Sequence, residues 1–307
     1  MEINHSPISL EHQFADYFTD VSIELFGNTN VAYTIDCDKP LRDLIKDSKN
    51  MLQGIQPKVL AYIDNNRIKI QINNNTISSH IIKLHCENES DYDNLDQMSA
   101  NEHLTMQIAN KVYGINVAPN GLCVSPSGEL VYITKRFDII NNAIVYSEDF
   151  AAILGDKEKY DGTYEELGQG ILRYSDNPLC DIVEFFKIVL FNFLFRNGDA
   201  HLKNFSLVEY PNGRRQLSPA YDLQNTYLHL KTDHFALRDG LIDDIDRIYY
   251  SDNGMPTMKT FKEFAKRIQI MPQQVLRIVN YFKEKENEVQ LLVEKSFLSN
   301  DCKILYY

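Results

Sequence analysis

Hydrophobic and polar positions alternate with two different periods along this chain, and the period changes partway. Val59 to Ile63 reads as a strand, with Arg67 to Ile72 as its return. Asn73-Asn74-Asn75 reads as a hairpin turn. His80 to Leu84 is a further strand, with Ile82 and Leu84 on one face and Ile81 and Lys83 on the other. Val131 to Asp138 is a strand with a polar exit. The remainder reads mainly as helix. An amphipathic helix begins at Asn101, with Leu104, Ile108 and Val112 on its apolar face. Ser147-Glu148-Asp149-Phe150 has the form of a helix start, Ser147 capping and acids in the first turn. Thr163-Tyr164-Glu165-Glu166 is a second capped start, with Leu167, Ile171 and Leu172 on the buried side. The run Ile182 to Phe195 is almost wholly apolar and predicts a buried helix, Leu179 to Arg196, which Asn197-Gly198 ends. Phe205 to Val208 and Arg214 to Leu217 are strands joined by Pro211-Asn212-Gly213. Two helices close the chain, Thr257 to Ile268 and an interrupted one from Pro272 to Phe297.

Before residue 50 the pattern is weak. Leu10 to Phe26 is compatible with a helix and Asn28 to Ile35 with a short strand. A helix opening at Lys39-Pro40 would carry Leu41, Leu44 and Ile45 on one face. From Tyr227 to Gly254 the sequence is irregular and acidic (Asp239, Asp243, Asp244, Asp246), which fits either a solvated face or a substrate-facing rim.

A length of 307 residues predicts about two domains or lobes. The net charge of −12 argues against broad nucleic-acid binding by this chain. Cys37, Cys86, Cys123, Cys180 and Cys302 form no CxxC pair, so they offer no metal framework and fit a reducing cytoplasm. No basic segment leads into an apolar one at the N-terminus, and no charge-free run reaches membrane-spanning length. A cytoplasmic protein that does not contact a membrane is expected.

The chemistry concentrates just after the apolar run, in Asn197-Gly198-Asp199-Ala200-His201-Leu202-Lys203-Asn204, with Pro219-Ala220-Tyr221-Asp222 further on. A phosphoryl-transfer site needs one carboxylate to orient the attacking hydroxyl. It needs a second carboxylate and an amide oxygen to hold Mg²⁺ on the phosphates. Asp199 and Asn204 have the D-x-x-x-x-N spacing for the first and the last of these, and Asp222 supplies the other. Lys203 places a cation between them.

These residues carry a resemblance. N-G-D-A-H-L-K-N-F-S followed by L-S-P-A-Y-D-L resembles the HipA-like serine/threonine kinases, the toxin kinases of bacterial toxin–antitoxin modules. The likeness covers roughly residues 50 to 300 and is strongest from 197 to 223. It implies an α+β, two-lobed protein-kinase-like fold. A smaller β-rich N-lobe would span residues 1–140 and a mainly helical C-lobe residues 141–307. It implies ATP and Mg²⁺, with Asp199 and Lys203 catalytic and Asn204 and Asp222 on the metal. Gly54-Ile55-Gln56-Pro57-Lys58 is similar to the family's phosphate loop. In I-I-K-L, Lys83 would clamp the phosphates, although a lysine flanked by apolar residues is also an ordinary snorkelling edge residue. Glu102 in N-E-x-x-x-M would orient Lys83, or else be an exposed first-turn glutamate. Thr134-Lys135-Arg136-Phe137-Asp138 resembles the family's hinge. Backbone groups of Lys135 and Phe137 would hold adenine, and Asp138 the ribose. Glu148-Asp149 is similar to the acid pair that follows the hinge. The resemblance treats His201 as a hydrogen-bonded structural residue rather than a base.

Two departures qualify the likeness. Family members often carry an autophosphorylated serine just before the loop glycine, where this chain has Met51, Leu52 and Gln53. Ser48 is the nearest upstream hydroxyl. The stretch before the phosphate loop is also short, as in the HipT-like branch of three-part HipBST modules. That branch implies a separate small HipS-like subunit and a HipB-like DNA-binding antitoxin as partners. The expected substrate is a translation-related protein such as an aminoacyl-tRNA synthetase. A small-molecule phosphotransferase and a nucleotide-binding docking module are the alternatives.

Overall fold

The computed structural model describes residues 5–10, 20–27, 34–37, 41, 56–71, 76–85, 91–231, 234–243, 250–251 and 254–306. Helix α1 (Asp20–Phe26) precedes strands β1 (Ile35–Asp36), β2 (Lys58–Asp64), β3 (Arg67–Ile70) and β4 (His80–Lys83). Helix α2 (Met98–Lys111) separates these from β5 (Asn120–Val124) and β6 (Leu130–Lys135). The six strands form one sheet in the order β1-β3-β2-β4-β6-β5, antiparallel except for β1 on β3.

The β2–β3 hairpin turns at Asn65-Asn66, both in the left-handed region that asparagine tolerates. Asn73 to Asn75 lie outside the described residues. The expected hairpin turn therefore falls on undescribed residues; the strands on either side, β3 and β4, are not neighbours, because β2 lies between them. Gly54, Ile55 and the stretch 42–55, with Ser48, also lie outside the described residues, as do 11–19 and 28–33.

Strand register decides what the sheet shows to the rest of the molecule. Val59, Ile82, Ile133 and Gly121 are successive cross-strand partners, and the three large side chains sit in a small apolar cluster with Ile8, Leu25 and Ile35. One residue along, Lys58 faces Lys83, Lys83 faces Tyr132, and Tyr132 faces Leu122. That row lies on the opposite face, where Leu122 and Tyr132 join the larger core. A slip of one residue would send both lysines into the apolar cluster, so burial of one face fixes the cationic row on the other.

Helix α2 packs on that second face and is buried on all sides, not amphipathic as its apolar stripe suggests. Its polar residues are taken up by distant partners. Asn101 Nδ2 donates to Asn225 O (2.9 Å), the His103 ring meets Ile8 O (3.0 Å), and Thr105 bonds to the Tyr306 hydroxyl (2.8 Å).

A small hairpin, β7 (Ile139–Ile140) and β8 (Ala143–Ile144), turns at left-handed Asn141 and Asn142. Ser147 to Asp149 then forms strand β9, not the predicted helix start. β9 pairs with a strand far along the chain, and the cap of helix α3 (Phe150–Ile153) is Asp149, which accepts from Ala152 N (3.1 Å). Helix α4 (Tyr164–Tyr174) has the capping box of Thr163 and Glu166, and α5 (Pro178–Leu194) is the buried helix read from the apolar run. Strands β10 (Ser206–Glu209) and β11 (Arg215–Leu217) complete a three-stranded sheet with β9. Helices α6 (Met258–Arg267), α7 (Pro272–Lys283), α8 (Glu286–Lys295) and α9 (Asn300–Tyr306) close the chain. The last was not foreseen. Among the described residues no helix is long and apolar enough to cross a membrane. The larger core runs from Leu122 and Tyr132 through Phe185, Phe186 and Phe191 of α5 to Phe261 and Phe264 of α6.

Candidate active site

The acid-bearing loop begins where α5 stops. Arg196 takes a left-handed conformation and the Asn197 amide N–H returns to Asn192 O (2.8 Å). Buried Asn197 donates from Nδ2 to Asn192 Oδ1 (3.0 Å). Gly198 N donates to Thr226 Oγ1 (2.8 Å), and that hydroxyl donates to Arg196 O (2.9 Å). The loop is thus fastened to the segment that follows Asp222.

A hairpin brings the two metal candidates together. Leu207 pairs with Leu217 across β10 and β11, so Asn204 enters the hairpin beside the point where Asp222 leaves it. Asn204 Nδ2 donates to Asp222 Oδ2 (3.2 Å), while Asn204 Oδ1 accepts from His201 N (2.9 Å). Asp222 itself is left-handed, a conformation that costs energy in a residue with a side chain and that clusters at functional sites.

The sheet's cationic row meets this hairpin. Lys83 Nζ donates to Glu102 Oε1 (2.6 Å) and also to Asp222 Oδ1; Lys58 Nζ lies 3.7 Å from Asp222 Oδ2. Two lysines facing each other across β2 and β4 would repel. Asp222 between them removes that repulsion. Burial alone would raise the Asp222 carboxyl, but Lys83 and then Lys58 hold it well below the usual carboxylate range. Burial likewise opposes charge on Lys83, and Asp222 and Glu102 more than offset it, so the ammonium stays charged. Glu102 is 1% exposed, and burial pushes it up to about 7 although Lys83 pulls the other way. The Lys83 ammonium also sits 5.4 Å from the Tyr132 ring centre. Of the two readings of Glu102, the paired one is the geometry observed, and Lys83 is not an exposed edge residue.

The remaining candidates divide. Asp199 is half-buried, and its Oδ1 accepts from the Tyr160 hydroxyl (2.8 Å). Lys203 lies in the short turn Leu202–Asn204 and is exposed; its carbonyl accepts from Tyr221 OH (2.8 Å). The His201 imidazole packs edge-on against Tyr160, with ring centres 5.4 Å apart. Burial lowers its pKa against the opposing pull of Asp199, so the ring is neutral at pH 7. In the hinge, Lys135 N donates to Pro119 O (2.8 Å). The strand pairing takes that N–H, so it is not available to an adenine edge. Phe137 packs on Tyr221, ring centres 5.0 Å apart. Asp138 is gripped by Arg136 through Nε (2.9 Å) and Nη2 (2.6 Å), and Arg136 is tied to Ser78 Oγ (2.6 Å). Glu148 pairs with Arg215 (3.0 Å).

The donor set suits a magnesium ion. Among the described residues no cluster of three or more His, Cys, Asp or Glu forms a protein-only cage. One carboxylate and one amide oxygen, completed by substrate phosphates, is the usual magnesium arrangement. Among the described residues Gln56 Nε2 is buried without a partner, two positions before Lys58, a donor left for an oxygen acceptor.

One prediction arises from Glu102. It holds a proton more tightly folded than unfolded, so its contribution to stability falls as pH rises from near 4.5 to about 7. Asp222 acts in the opposite sense, since its contribution is present above the ordinary carboxylate range and is lost on acidification. Glu102→Gln removes only the first effect. Its melting temperature relative to the parent should therefore rise by a few degrees between pH 5 and pH 8. Thermal melts across that range check this, and a flat or falling difference contradicts it.

A six-stranded sheet above a helical body, with a lysine–glutamate pair facing a D-x-x-x-x-N loop and a distant aspartate, defines an α+β, two-lobed, protein-kinase-like chain. The model of the family described as HipA-like C-terminal domain matches residues 51–289, and the chain belongs to that family. It is 32% identical over 141 residues to a Haemophilus influenzae protein named "Putative kinase", covering 41% of this chain and 40% of that one. It is 41% identical over 108 residues to "Putative kinase Y4dM" of Sinorhizobium fredii, covering 33% and 25%. The matched stretches therefore span less than half the length of these relatives. Among solved structures, HipA of Shewanella oneidensis, in its complex with HipB and operator DNA, superposes with a TM-score of 0.62 at 19% identity. The match covers 84% of this chain and 63% of that one. The proinflammatory kinase CtkA of Helicobacter pylori gives 0.50 at 15%, covering 84% and 90%.

Tyr160 and Thr226 were not anticipated, and Arg136 was read only as part of the hinge resemblance, with no role of its own. The contacts of Tyr160, Thr226 and Arg136 join positions 39, 28 and 58 residues apart, which a local pattern does not report.

Proposed function

We propose that this chain is an ATP- and Mg²⁺-dependent kinase that phosphorylates a serine or threonine of a protein, and that it is the toxin of a toxin–antitoxin module. The observation that carries the reading is the meeting of Lys83, Glu102, Asn204 and Asp222, which come from four separate segments. Bound MgATP supplies the phosphoryl group. Lys83 and Lys58 offer cations to its phosphates, and Gln56 offers a hydrogen-bond donor. Asn204 and Asp222 hold the metal. Asp199 orients the acceptor hydroxyl and takes its proton, and exposed Lys203 adds positive charge near the transferred group. Catalysis is then mainly positioning and charge neutralisation.

The proposal extends to partners. The Shewanella HipA complex supports a HipB-like DNA-binding antitoxin. A HipS-like small subunit and a translation-related substrate, such as an aminoacyl-tRNA synthetase, complete the proposal. The test is transfer from γ-labelled ATP to bacterial lysate proteins, or to the chain itself, with Mg²⁺ and with EDTA. Metal-dependent phosphoserine or phosphothreonine is expected. Label confined to small molecules would instead indicate a small-molecule phosphotransferase, and no transfer at all would remove the enzymatic reading.

A further inference from the structure

Asp199 is held from a part of the chain with no other role in the site. The Tyr160 hydroxyl donates to Asp199 Oδ1 (2.8 Å), and this is the one side-chain hydrogen bond to that carboxylate among the described residues. The segment that delivers Tyr160 is fastened to the acid loop on both sides. Lys159 O accepts from Leu202 N (3.0 Å), and the Tyr164 hydroxyl donates to Ala200 O (2.7 Å). A third strand of chain backs it: Arg238 N donates to Tyr160 O (2.9 Å), and Asp239 N to Gly162 O (3.3 Å). The phenol ring is fixed too, edge-on to His201 and with Lys159 Nζ 4.4 Å from its centre. This attachment is more than a solvated loop tyrosine needs.

The pair has a chemical consequence. A carboxylate with two free oxygens can rotate about its terminal torsion, which is broad. With Oδ1 bound, the carboxylate plane is set and Oδ2 is the oxygen left for an incoming hydroxyl. Burial, and then the bond to Asp199, raise the phenol well above its ordinary value, so it remains a donor throughout the physiological range. A neutral donor also adds no positive charge beside Asp199, as a lysine in that position would.

We infer that Tyr160 is a positioning residue for phosphoryl transfer: by binding one oxygen of Asp199 it aims the other at the acceptor hydroxyl. The inference rests on the kinase reading above. Tyr160→Phe keeps the ring against His201 and Lys159 and removes only the donor. With γ-labelled ATP and dephosphorylated casein as acceptor, its kcat should fall roughly tenfold. KM for ATP and for casein should stay within about twofold, and the melting temperature should be unchanged. An unchanged kcat, or a change confined to KM, would overturn the inference.

A second measurement needs no turnover. Tetranitromethane nitrates the ionised phenol, so Tyr160 should react several-fold more slowly in the parent than in Asp199→Ala, as read by peptide mass mapping. Equal rates would overturn the contact itself. A nitration difference in a parent chain that transfers no phosphate would keep the contact but sink the kinase reading, and the positioning role with it. A nitration difference with full kcat in Tyr160→Phe would sink the positioning role alone.

Discussion

Lys83→Met should lower the melting temperature by roughly 10 °C and abolish measurable nucleotide binding. The ammonium pairs with two carboxylates, Glu102 at 2.6 Å and Asp222, and it is 5% exposed. Methionine fills the volume but leaves both acids facing each other, with Lys58, 3.7 Å from Asp222, as the neighbouring cation among the described residues. Breaking a buried pair by deleting one partner costs about 3–5 kcal/mol, because the charge left behind is neither solvated nor paired. For a chain of this size each kcal/mol moves the midpoint by roughly 2–4 °C. The double variant Lys83→Met, Glu102→Gln should recover part of the loss. It removes the charge that the single variant strands, and the cycle of four proteins isolates that coupling. Nucleotide binding should not return, since the cation itself is gone. Scanning calorimetry and titration with a non-hydrolysable ATP analogue check both statements. A Lys83→Met melt within a degree or two of the parent would mean that the pairing contributes nothing.

The parts of this site that the sequence announces are those whose signals are local. The apolar run of α5 and the stop at Asn197-Gly198 lie side by side in the chain, so the helix and the loop it delivers can be read together. Lys83 is legible because strand alternation assigns it a face. What resists reading depends on distant partners. Ser147 to Asp149 has the letters of a helix start, and a helix does start at Phe150. The three residues before it are nonetheless drawn into a strand by Ser206, Leu207 and Val208, which no local rule could supply. The stripe on α2 suggests one wet face. That face is dry because residues 5–10, Asn225, His229 and Tyr306 arrive to satisfy its polar groups. The hinge resemblance implies an adenine contact for Lys135, but its N–H is already taken by Pro119. Local pattern reports what a segment can do, and sheet pairing then decides which of its groups remain available.

Asp199→Asn should reduce phosphoryl transfer by about 10²–10⁴-fold while leaving the fold and nucleotide binding intact. The change removes a negative charge and the capacity to accept a proton, and nothing else of consequence. Asparagine has the same outline, and its carbonyl can still accept from the Tyr160 hydroxyl, so the loop keeps its fastening to Tyr160 and, through Gly198, to Thr226. Asp199 makes no ion pair among the described residues, so no cation is stranded by its loss, in contrast to Lys83→Met. The two variants should therefore fail in different ways. Asp199→Asn should bind the ATP analogue with parental affinity, melt within a degree or two of the parent and turn over poorly. Lys83→Met should neither bind nor melt normally. Single-turnover transfer to lysate proteins, beside analogue titration and a melt, reads all three properties. If Asp199→Asn retained full transfer, the proton acceptor would have to be sought elsewhere. If it kept a cellular effect without transfer, the chain would act by docking, with Lys83, Asn204 and Asp222 serving nucleotide binding alone.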